Sequence, residues 1–411
     1  MSRVARHLVL GSVAATAMLV VTACGPSPAT ESSGEPAGEI SELDYYADQQ
    51  GSRAWQQILD TCSRETGITI NRQTVPTDQM LPKILKDASS RTLPDLVFTD
   101  NPTLQQIAST GALTPLTDYG ISIDGYYDSI IKAGTYEGEV YGLAPGVNGL
   151  ALIYNEKLLA EAGVEPPRTW QDLATAARKL SGGGKYGLAF SAIPSEEGTW
   201  QFLPFFWSNG AELSALDSPE AVEALRFVTE LVDSGAASKS VLNWNQNDVA
   251  DQFVAGNAAM MINGSWNLAR LDEEQGLDYG VVPVPAPEAG TDPVVALGGE
   301  VGAIPATGAD RQQAAAEVLK CILAEENMLA WDTAHAYVPS RKATAEKFAR
   351  DNPAMRPFVT EVETARSRTA ELGERYPKVS QALATALQAA LAGERSPQEA
   401  LAAAQREVGR S

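Results

Sequence analysis

The chain reads Tyr141-Gly-Leu-Ala-Pro-Gly-Val-Asn148-Gly-Leu-Ala-Leu-Ile-Tyr154-Asn155 after a turn signal at Glu137-Gly138. The apolar run at residues 150–154 is typical of a strand that is covered on both faces. Pro145-Gly146 breaks the pattern between the hairpin signal and this strand. A break with one polar residue, Asn148, fits a hinge between two α/β lobes. It also fits an ordinary loop between two strands of one sheet.

The motifs around this crossing follow a recognisable order. After it come Asn155-Glu-Lys-Leu-Leu and Pro166-Pro-Arg-Thr169-Trp170-Gln-Asp172-Leu, and before it come Pro94-Asp95 and Gly111-Ala-Leu-Thr-Pro-Leu. This order resembles the extracellular solute-binding proteins of carbohydrate ABC importers, the group that includes maltose-binding protein. The resemblance covers nearly all of residues 41–411. It implies an α/β, two-lobed periplasmic-binding-protein-like fold with a hinge and an interlobe ligand cleft.

The same resemblance implies how the chain divides between the lobes. Lobe 1, the N-terminal lobe, is expected to hold residues 41–146 plus 291–350. Lobe 2, the C-terminal lobe, is expected to hold residues 147–290 plus 351–411.

The N-terminus has the features of a secretory signal over residues 1–23. Arg3 and Arg6 precede a short apolar run, and Val21-Thr22-Ala23-Cys24 resembles the lipobox of bacterial lipoproteins. Cleavage before Cys24 would leave its thiol for lipid attachment; the alternative is an ordinary signal or a short membrane anchor. Residues 24–40, rich in Gly, Pro, Ser and Glu, predict a flexible tether. We therefore expect an exported protein, lipid-anchored to the outer face of the bacterial cytoplasmic membrane.

The charge balance limits the classes of molecule that the chain is expected to bind. The chain has 411 residues, with 31 Lys plus Arg, 52 Asp plus Glu and a formal net charge of −21. Residues 1–23 hold two arginines and no acid, so loss of the signal moves the net charge to −23. This excess argues against nucleic acid and against broad contact with anionic lipid headgroups. It suits a soluble exported body, which we expect to be a monomer.

Cysteine and histidine are scarce after the signal. After Cys24 only Cys62 and Cys321 remain, and in an oxidising compartment they form either a disulfide or two buried free thiols. His335 is the sole histidine past residue 23, which argues against a His-based zinc site and a Ser-His-Asp triad. We expect no metal, no cofactor and no enzymatic activity.

Three polar residues follow predicted strands of the first lobe. Asp48 comes after a strand at residues 43–47, and Asp100 and Asn101 come after a buried strand that ends before Pro102. Ligands of open α/β sheets bind at the carboxyl ends of strands, so these residues are candidate ligand contacts. The alternative role for each is a helix cap.

The most aromatic segment begins at a strand end near residue 191. We expect Trp200 and Gln201 to be its exposed members, and much of residues 202–207 to be core. Neighbouring Glu196 and Glu197 diverge, so they cannot readily flank one glycosidic bond as a retaining glycosidase requires. Glu197 and Trp200 are therefore candidate sugar contacts.

The next candidates lie at residues 240–248 and at a second strand end. The former reads as an uncapped polar loop that carries Trp244 and Gln246. The latter is Asn263-Gly264-Ser265-Trp266, and in the family that this chain resembles, this tryptophan commonly stacks on a sugar ring. An aromatic face receives the C–H face of a pyranose, while carboxylates and amides accept and donate to its hydroxyls. The alternative for Trp266 is a core tryptophan.

The last candidates follow a second predicted crossing. Gly298-Gly299-Glu300 supplies Gly299 and Glu300, and Gly302 stands where the family usually shows an aromatic. Tyr376 lies in a loop that is often near ligand in the family.

The resemblance implies the substrate-binding lipoprotein of an ABC importer. It would capture a carbohydrate, with a di- or oligosaccharide favoured, by cleft closure and deliver it to two membrane permease subunits served by a separate ATPase. The alternatives are a lipid-anchored enzyme acting on glycans and a surface lipoprotein with a sensory or adhesive role.

Overall fold

Strand-forming sequences between Gly and Pro breaks build two main sheets. The computed structural model describes residues 38–47 and 49–409. The strands are β1 (Glu39–Asp44), β2 (Thr69–Thr74), β3 (Leu96–Asp100), β4 (Leu113–Thr114), β5 (Thr135–Tyr136), β6 (Glu139–Val140), β7 (Gly142–Leu143), β8 (Gly146–Val147), β9 (Leu150–Asn155), β10 (Tyr186–Ala189), β11 (Ala258–Gly264), β12 (Tyr279–Pro283), β13 (Glu300–Pro305) and β14 (Val338–Pro339).

Helices cover the sheets. They are α1 (Gln49–Thr66), α2 (Thr77–Ser90), α3 (Leu104–Ala108), α4 (Asp128–Ala133), α5 (Glu156–Ala162), α6 (Trp170–Leu180), α7 (Glu196–Ser208), α8 (Pro219–Asp233), α9 (Gln246–Val254), α10 (Leu268–Glu273), α11 (Ala309–Ile322), α12 (Glu325–His335), α13 (Lys342–Asp351), α14 (Arg356–Thr364), α15 (Tyr376–Leu391) and α16 (Pro397–Val408). Helices α5, α6, α8, α9 and α16 begin after a residue whose side chain accepts a hydrogen bond from the first turn. Thr169 with Asp172 and Ser396 with Glu399, both of which follow the sequence pattern of a capping box, form both reciprocal hydrogen bonds.

The first sheet has the order β2-β1-β3-β13-β4, with β7 also paired to β13. β1 is parallel to β2 and β3, whereas β13 is antiparallel to β3. A hairpin of β5 and β6 lies at the predicted turn, where Glu137 and Gly138 have φ angles of 48° and 89°. Two positive φ angles are what a type I′ hairpin turn requires.

The second sheet has the order β10-β11-β9-β12, in which β9 is antiparallel to both neighbours. The apolar residues of β9 are buried, and they face two different cores: Ala151 and Ile153 belong to one, Leu150 and Leu152 to the other. The prediction of a strand covered on both faces is therefore confirmed. The first of these cores also contains the first sheet, and the second contains α7, α8, α15 and α16.

Three segments that connect these sheets lie side by side. Asn148, after β8, exchanges backbone hydrogen bonds with Gly298, before β13. The segment after α14 joins them, since Arg366 bonds through its backbone to Val295 and Leu297. The described part of the chain falls within one compact unit, Pro36–Ser411.

Two expectations at the N-terminal end are wrong. The predicted tether extends to residue 40, but β1 begins at Glu39 and Ile40 is fully buried, because β1 pairs with β2 along its whole length. The strand expected over residues 43–47 ends earlier, at Asp44, and α1 begins at Gln49. The predicted signal, Cys24 and the remainder of the tether lie outside the described residues, as does Asp48.

Cys62 and Cys321 form a disulfide with an S–S distance of 2.09 Å and a Cα–Cα distance of 5.7 Å. It joins α1 to α11 across 259 residues of sequence. Within residues 38–47 and 49–409, no helix is long and apolar enough to cross a membrane.

Candidate functional site

Polar residues predicted at two strand ends lie together at the edge of the first sheet. Glu300, which begins β13, is paired with Asp100, which ends β3. Asn148 reaches the same edge because its backbone N–H and C=O bond to Gly298, at 3.3 and 2.9 Å. Antiparallel pairing of β3 with β13 therefore brings together residues that are far apart in the sequence.

The Glu300 carboxylate is held by tyrosine hydroxyls. It accepts hydrogen bonds from Tyr45 at 2.6 Å, from Tyr46 at 3.0 Å and from Tyr337 at 3.5 Å. Glu300 is buried, and burial, with repulsion from Asp100 adding to it, raises the pKa of its carboxyl to about 7. Tyr45 and Tyr46 are not among the predicted contacts, although both directly follow β1, at a carboxyl end where ligand-binding residues are expected.

Asn101 shapes the segment that leads into β13. Its side-chain amide donates to the carbonyls of Leu297, at 3.3 Å, and Gly299, at 2.9 Å. The alternative role of Asn101 as a helix cap is wrong, because it lies inside the short 3₁₀ turn and its side chain is turned to another segment. Gly299 has a φ of 109°, a conformation that favours glycine.

Two tryptophans lie side by side next to this edge. The rings of Trp200 and Trp266 are 5.7 Å apart and 19° from parallel. Trp266 is half-buried and rests on Gly264, whereas Trp200 is buried and donates from Nε1 to the carbonyl of Ala296, at 3.2 Å. Trp266 therefore presents the more accessible aromatic surface.

The prediction that Trp200 and Gln201 are exposed is wrong. Their exposed fractions are 7% and 2%, and Gln201 donates to the carbonyl of Ile262. Helix α7 packs against α8 and α15 and is apolar on most sides, so helical spacing alone did not identify its solvent side.

A glycine allows Asn148 and Trp200 to approach each other. A Cβ added at Gly298 would lie 2.0 Å from Oδ1 of Asn148 and 2.6 Å from Cζ2 of Trp200. Oδ1 of Asn148 is buried and accepts no hydrogen bond within the described residues. An unpaired buried acceptor is costly, so this atom is suited to receive a hydroxyl from a ligand.

Arg368 links the strand edge to helix α7. It donates to Asp100 at 2.6 and 3.2 Å, and to Glu196 at 2.7 Å. Glu196 also accepts from the hydroxyls of Tyr376 and Ser380. Burial raises the pKa of Glu196, and Arg368 opposes that shift. Tyr376 begins α15 rather than lying in a loop, and it is fully buried.

Glu197 and Gln246 form a neighbouring group. The Glu197 carboxylate accepts from the backbone N–H of Gln246 at 2.6 Å, and burial raises the pKa of Glu197. Asn263, at the end of β11, donates to the carbonyl of Gln246 at 2.9 Å. Asn263 connects this group to the aromatic pair, because Trp266 lies just after the end of β11.

The polar stretch that carries Trp244 differs from the uncapped loop that we expected. Asn245 and Asp248 form a capping box for α9. Trp244 is partly buried and packs against both cores. Gln246 is the first residue of α9, so its position is set by the cap.

Two buried carboxyls that sequence analysis missed flank the crossing that contains β8. A Cβ added at Gly146 would lie 1.8 Å from Oδ1 of Asp332, and one at Gly149 would lie 3.5 Å from Oε2 of Glu361. Neither carboxyl has a hydrogen-bond partner among the described residues. Burial raises both pKa values well above the usual range. In the described ranges, no group of three or more His, Cys, Asp or Glu side chains has the arrangement to hold a metal ion.

Comparison with known proteins places this chain in a family. The model of the family described as bacterial extracellular solute-binding protein matches residues 57–357. The chain belongs to the bacterial extracellular solute-binding protein family. This confirms the family predicted from the motif order.

Individual relatives of this solute-binding protein differ in sequence identity and in the length of the match. A binding protein of Brucella abortus (strain 2308) is 30% identical over 232 residues, which cover 54% of this chain and 56% of that relative. The chain thus spans about half the length of the first relatives it matches. The galactooligosaccharide-binding protein of Bacillus subtilis (strain 168) is 22% identical over 401 residues, covering 94% and 93% of the two chains.

A solved structure confirms the fold of this solute-binding protein. The cyclic α-maltosyl-1,6-maltose binding protein from Arthrobacter globiformis is 28% identical, with a TM-score of 0.76, and the match covers 91% of this chain and 98% of that one. The predicted two-lobed, periplasmic-binding-protein-like fold is therefore confirmed. The family and these relatives are binding proteins rather than enzymes.

Proposed function

We propose that this chain is the substrate-binding lipoprotein of an ABC importer. It captures an uncharged di- or oligosaccharide between two lobes and delivers it to a pair of membrane permease subunits that are driven by a separate ATPase. The Bacillus subtilis and Arthrobacter globiformis relatives described above are named for oligosaccharide ligands, which agrees with this proposal.

One observation carries the proposal: an aromatic surface and hydrogen-bonding groups for hydroxyls converge at one place. Trp266, backed by Trp200, offers a flat face for the C–H side of a pyranose. Asn148 offers a buried acceptor that has no partner among the described residues. Tyr45 offers a hydroxyl that is held in place by Glu300.

Charge favours a neutral ligand. The carboxylates of Asp100, Glu196, Glu197 and Glu300 lie at or beside the site, while the guanidinium of Arg368 is already occupied by two of them. A sugar phosphate would be repelled by the remaining carboxylates. Neutral hydroxyls pair with carboxylates and amides without that repulsion.

Closure would follow from movement of two lobes about the adjacent crossings. We assign residues 39–146 plus 291–350 to lobe 1 and 147–290 plus 351–411 to lobe 2. Ligand contacts would come from Asn148, Gly299 and Glu300 at the lobe-1 edge, and from Glu197, Trp200, Trp244, Gln246 and Trp266 on lobe 2. Asp100, Asn101 and Tyr376 would act behind these contacts, because their side chains bond to Arg368, to the carbonyls of Leu297 and Gly299, and to Glu196. Binding energy gained from both sides favours the closed form.

Export and anchoring complete the proposal. Lipid attached at Cys24 would hold the body at the outer face of the cytoplasmic membrane, and the tether would let it reach the permease. Mass spectrometry of the membrane-extracted protein tests this: a diacylglycerol adduct on Cys24 is expected, and a free thiol there would contradict it.

The test of the ligand class is a thermal-shift and calorimetric screen of the purified chain. The panel contains maltose, maltotriose, β-1,4-galactotriose, xylobiose, chitobiose and glucose 6-phosphate. We expect at least one neutral oligosaccharide to raise the melting temperature and the phosphate to have no effect. Release of reducing sugar would favour a glycan-active enzyme, and no shift with any sugar would overturn the proposed function.

A further inference from the structure

Arg368 lies between carboxylates that belong to different parts of the fold. Asp100 ends β3 of the first sheet. Glu196 begins α7, which packs in the second core with α8 and α15. The Arg368 side chain is 2% exposed and lies 5.5 Å from the ring centre of Trp200.

The segment that carries Arg368 bonds through the backbone of Arg366 to Val295 and Leu297 of the adjacent crossing, and its side chains hold it to the second core. Arg366 pairs with Glu212, and Glu371 accepts from the backbone N–H groups of Leu213 at 3.1 Å and Ser214 at 2.8 Å. The second carboxylate partner of Arg368 is fastened to the same side, because Glu196 is held by Tyr376 and Ser380 of α15. The contact between Arg368 and Glu196 therefore stays within one side of the molecule.

The contact with Asp100 crosses to the other side. Asp100 is fixed by the pairing of β3 with β13, so movement of the second core away from the first sheet separates it from Arg368. A buried guanidinium that loses one of two carboxylates becomes less well compensated. The Asp100–Arg368 pair therefore favours the arrangement in which both sides are together.

We propose that the Asp100–Arg368 pair is an interlobe latch that stabilises the closed arrangement and slows the release of bound sugar. This inference rests on the proposed function for its effect on sugar. Arg368 acts as a positioning residue: its Nη1 and Nη2 donate to Asp100 and Glu196, while its Nε is buried without a partner among the described residues.

A double-mutant cycle tests the latch. Asp100→Asn keeps the shape and removes the charge, and Arg368→Lys keeps the charge and removes the fork that reaches two carboxylates. We expect each variant to release maltotriose about tenfold faster in stopped-flow tryptophan fluorescence, and the double variant to be no faster than the single ones. Asp251→Asn, which loses an exposed ion pair with Arg270, is the matched control and should release at the parent rate.

Additive effects in the cycle would show that Asp100 acts on sugar directly and would overturn the latch, as would an unchanged release rate. A second measurement needs no ligand: small-angle scattering should give a larger radius of gyration for sugar-free Asp100→Asn than for the parent and Asp251→Asn. If no sugar of the panel binds the parent, the proposed function fails, and scattering alone decides on the latch. Equal radii would then overturn it.

Discussion

The hydroxyl of Tyr45 donates a 2.6 Å hydrogen bond to the carboxylate of Glu300, 255 residues further along the chain. Tyr45 follows the first strand of the sheet and Glu300 begins an antiparallel strand that enters it from the C-terminal half. The bond fixes the orientation of a half-buried phenol at the edge where Asn148 and Asp100 also lie. It also places a titratable group at the site.

Glu300 should make stability fall as the pH rises. Its folded pKa of about 7 lies above the ordinary value of 4.5, so folding favours the protonated carboxyl. Its contribution is complete below about pH 4.5 and is lost as the pH rises through about 7, which amounts to ~3 kcal/mol at roughly 1.4 kcal/mol per pKa unit. Urea denaturation at pH 5 and pH 8 checks this against Glu300→Gln, which cannot titrate. A difference between parent and variant that does not change with pH would contradict it.

Trp266→Ala should weaken binding of maltotriose, or of whichever panel sugar binds, by about 30-fold or more, because a central aromatic contact contributes roughly 2 kcal/mol or more. Trp266→Phe keeps a flat ring and should lose less than about tenfold. Trp170→Phe is a control in the second core, where Trp170 stacks on Phe227. Calorimetric titration measures all three, and an unchanged affinity for Trp266→Ala would remove this residue from the site.

Gly298→Ala should impair binding while Gly149→Ala should not. The added Cβ at Gly298 would lie 2.0 Å from Oδ1 of Asn148 and must displace that side chain or Trp200. At Gly149 the nearest atom would be 3.5 Å away, an ordinary contact. Affinity and melting temperature measured together separate a loss of sugar binding from a loss of stability. Equal affinities for both variants would show that the approach of Asn148 to Trp200 is not needed.

Reduction of the Cys62–Cys321 disulfide, which spans 259 residues of sequence, should lower the free energy of unfolding by about 2–4 kcal/mol, the range typical of native disulfides. The expected readout is a lower melting temperature in reductant. A Cys62→Ala/Cys321→Ala variant should melt at the same temperature with and without reductant. The prediction would be contradicted if the melting temperature of the parent were unchanged in reductant while thiol titration showed both cysteines to be reduced.

Local features were predictable because neighbouring residues decide them. The hairpin turn at Glu137 and the capping boxes at Thr169 and Ser396 depend on hydrogen bonds within four residues. The same applies to β9, whose apolar run marks a strand covered on both faces. Exposure in α7 was not predictable, because a helix that is apolar all round contains no signal for its solvent side.

The candidate site likewise contains residues that were predictable from the sequence and residues that were not. Glu300, Asn148 and Trp266 were identified from motifs, whereas Tyr45 and Arg368 were not, because their importance lies in partners that are 255 and 268 residues away. No pattern of short period specifies such a pairing.

The sequence alone determined the family, the two-lobed fold, the main apolar strands and the helix caps, since these follow from motif order, periodicity and local hydrogen bonds. Tertiary structure alone decided which polar groups meet: the antiparallel entry of β13 beside β3 brings Glu300 to Asp100 and Tyr45. The packing of α15 on α7 brings Tyr376 to Glu196 and leaves Arg368 between two carboxylates. The reason is physical: burying a charge is costly unless distant segments supply its partners, and only the folded chain brings those segments together.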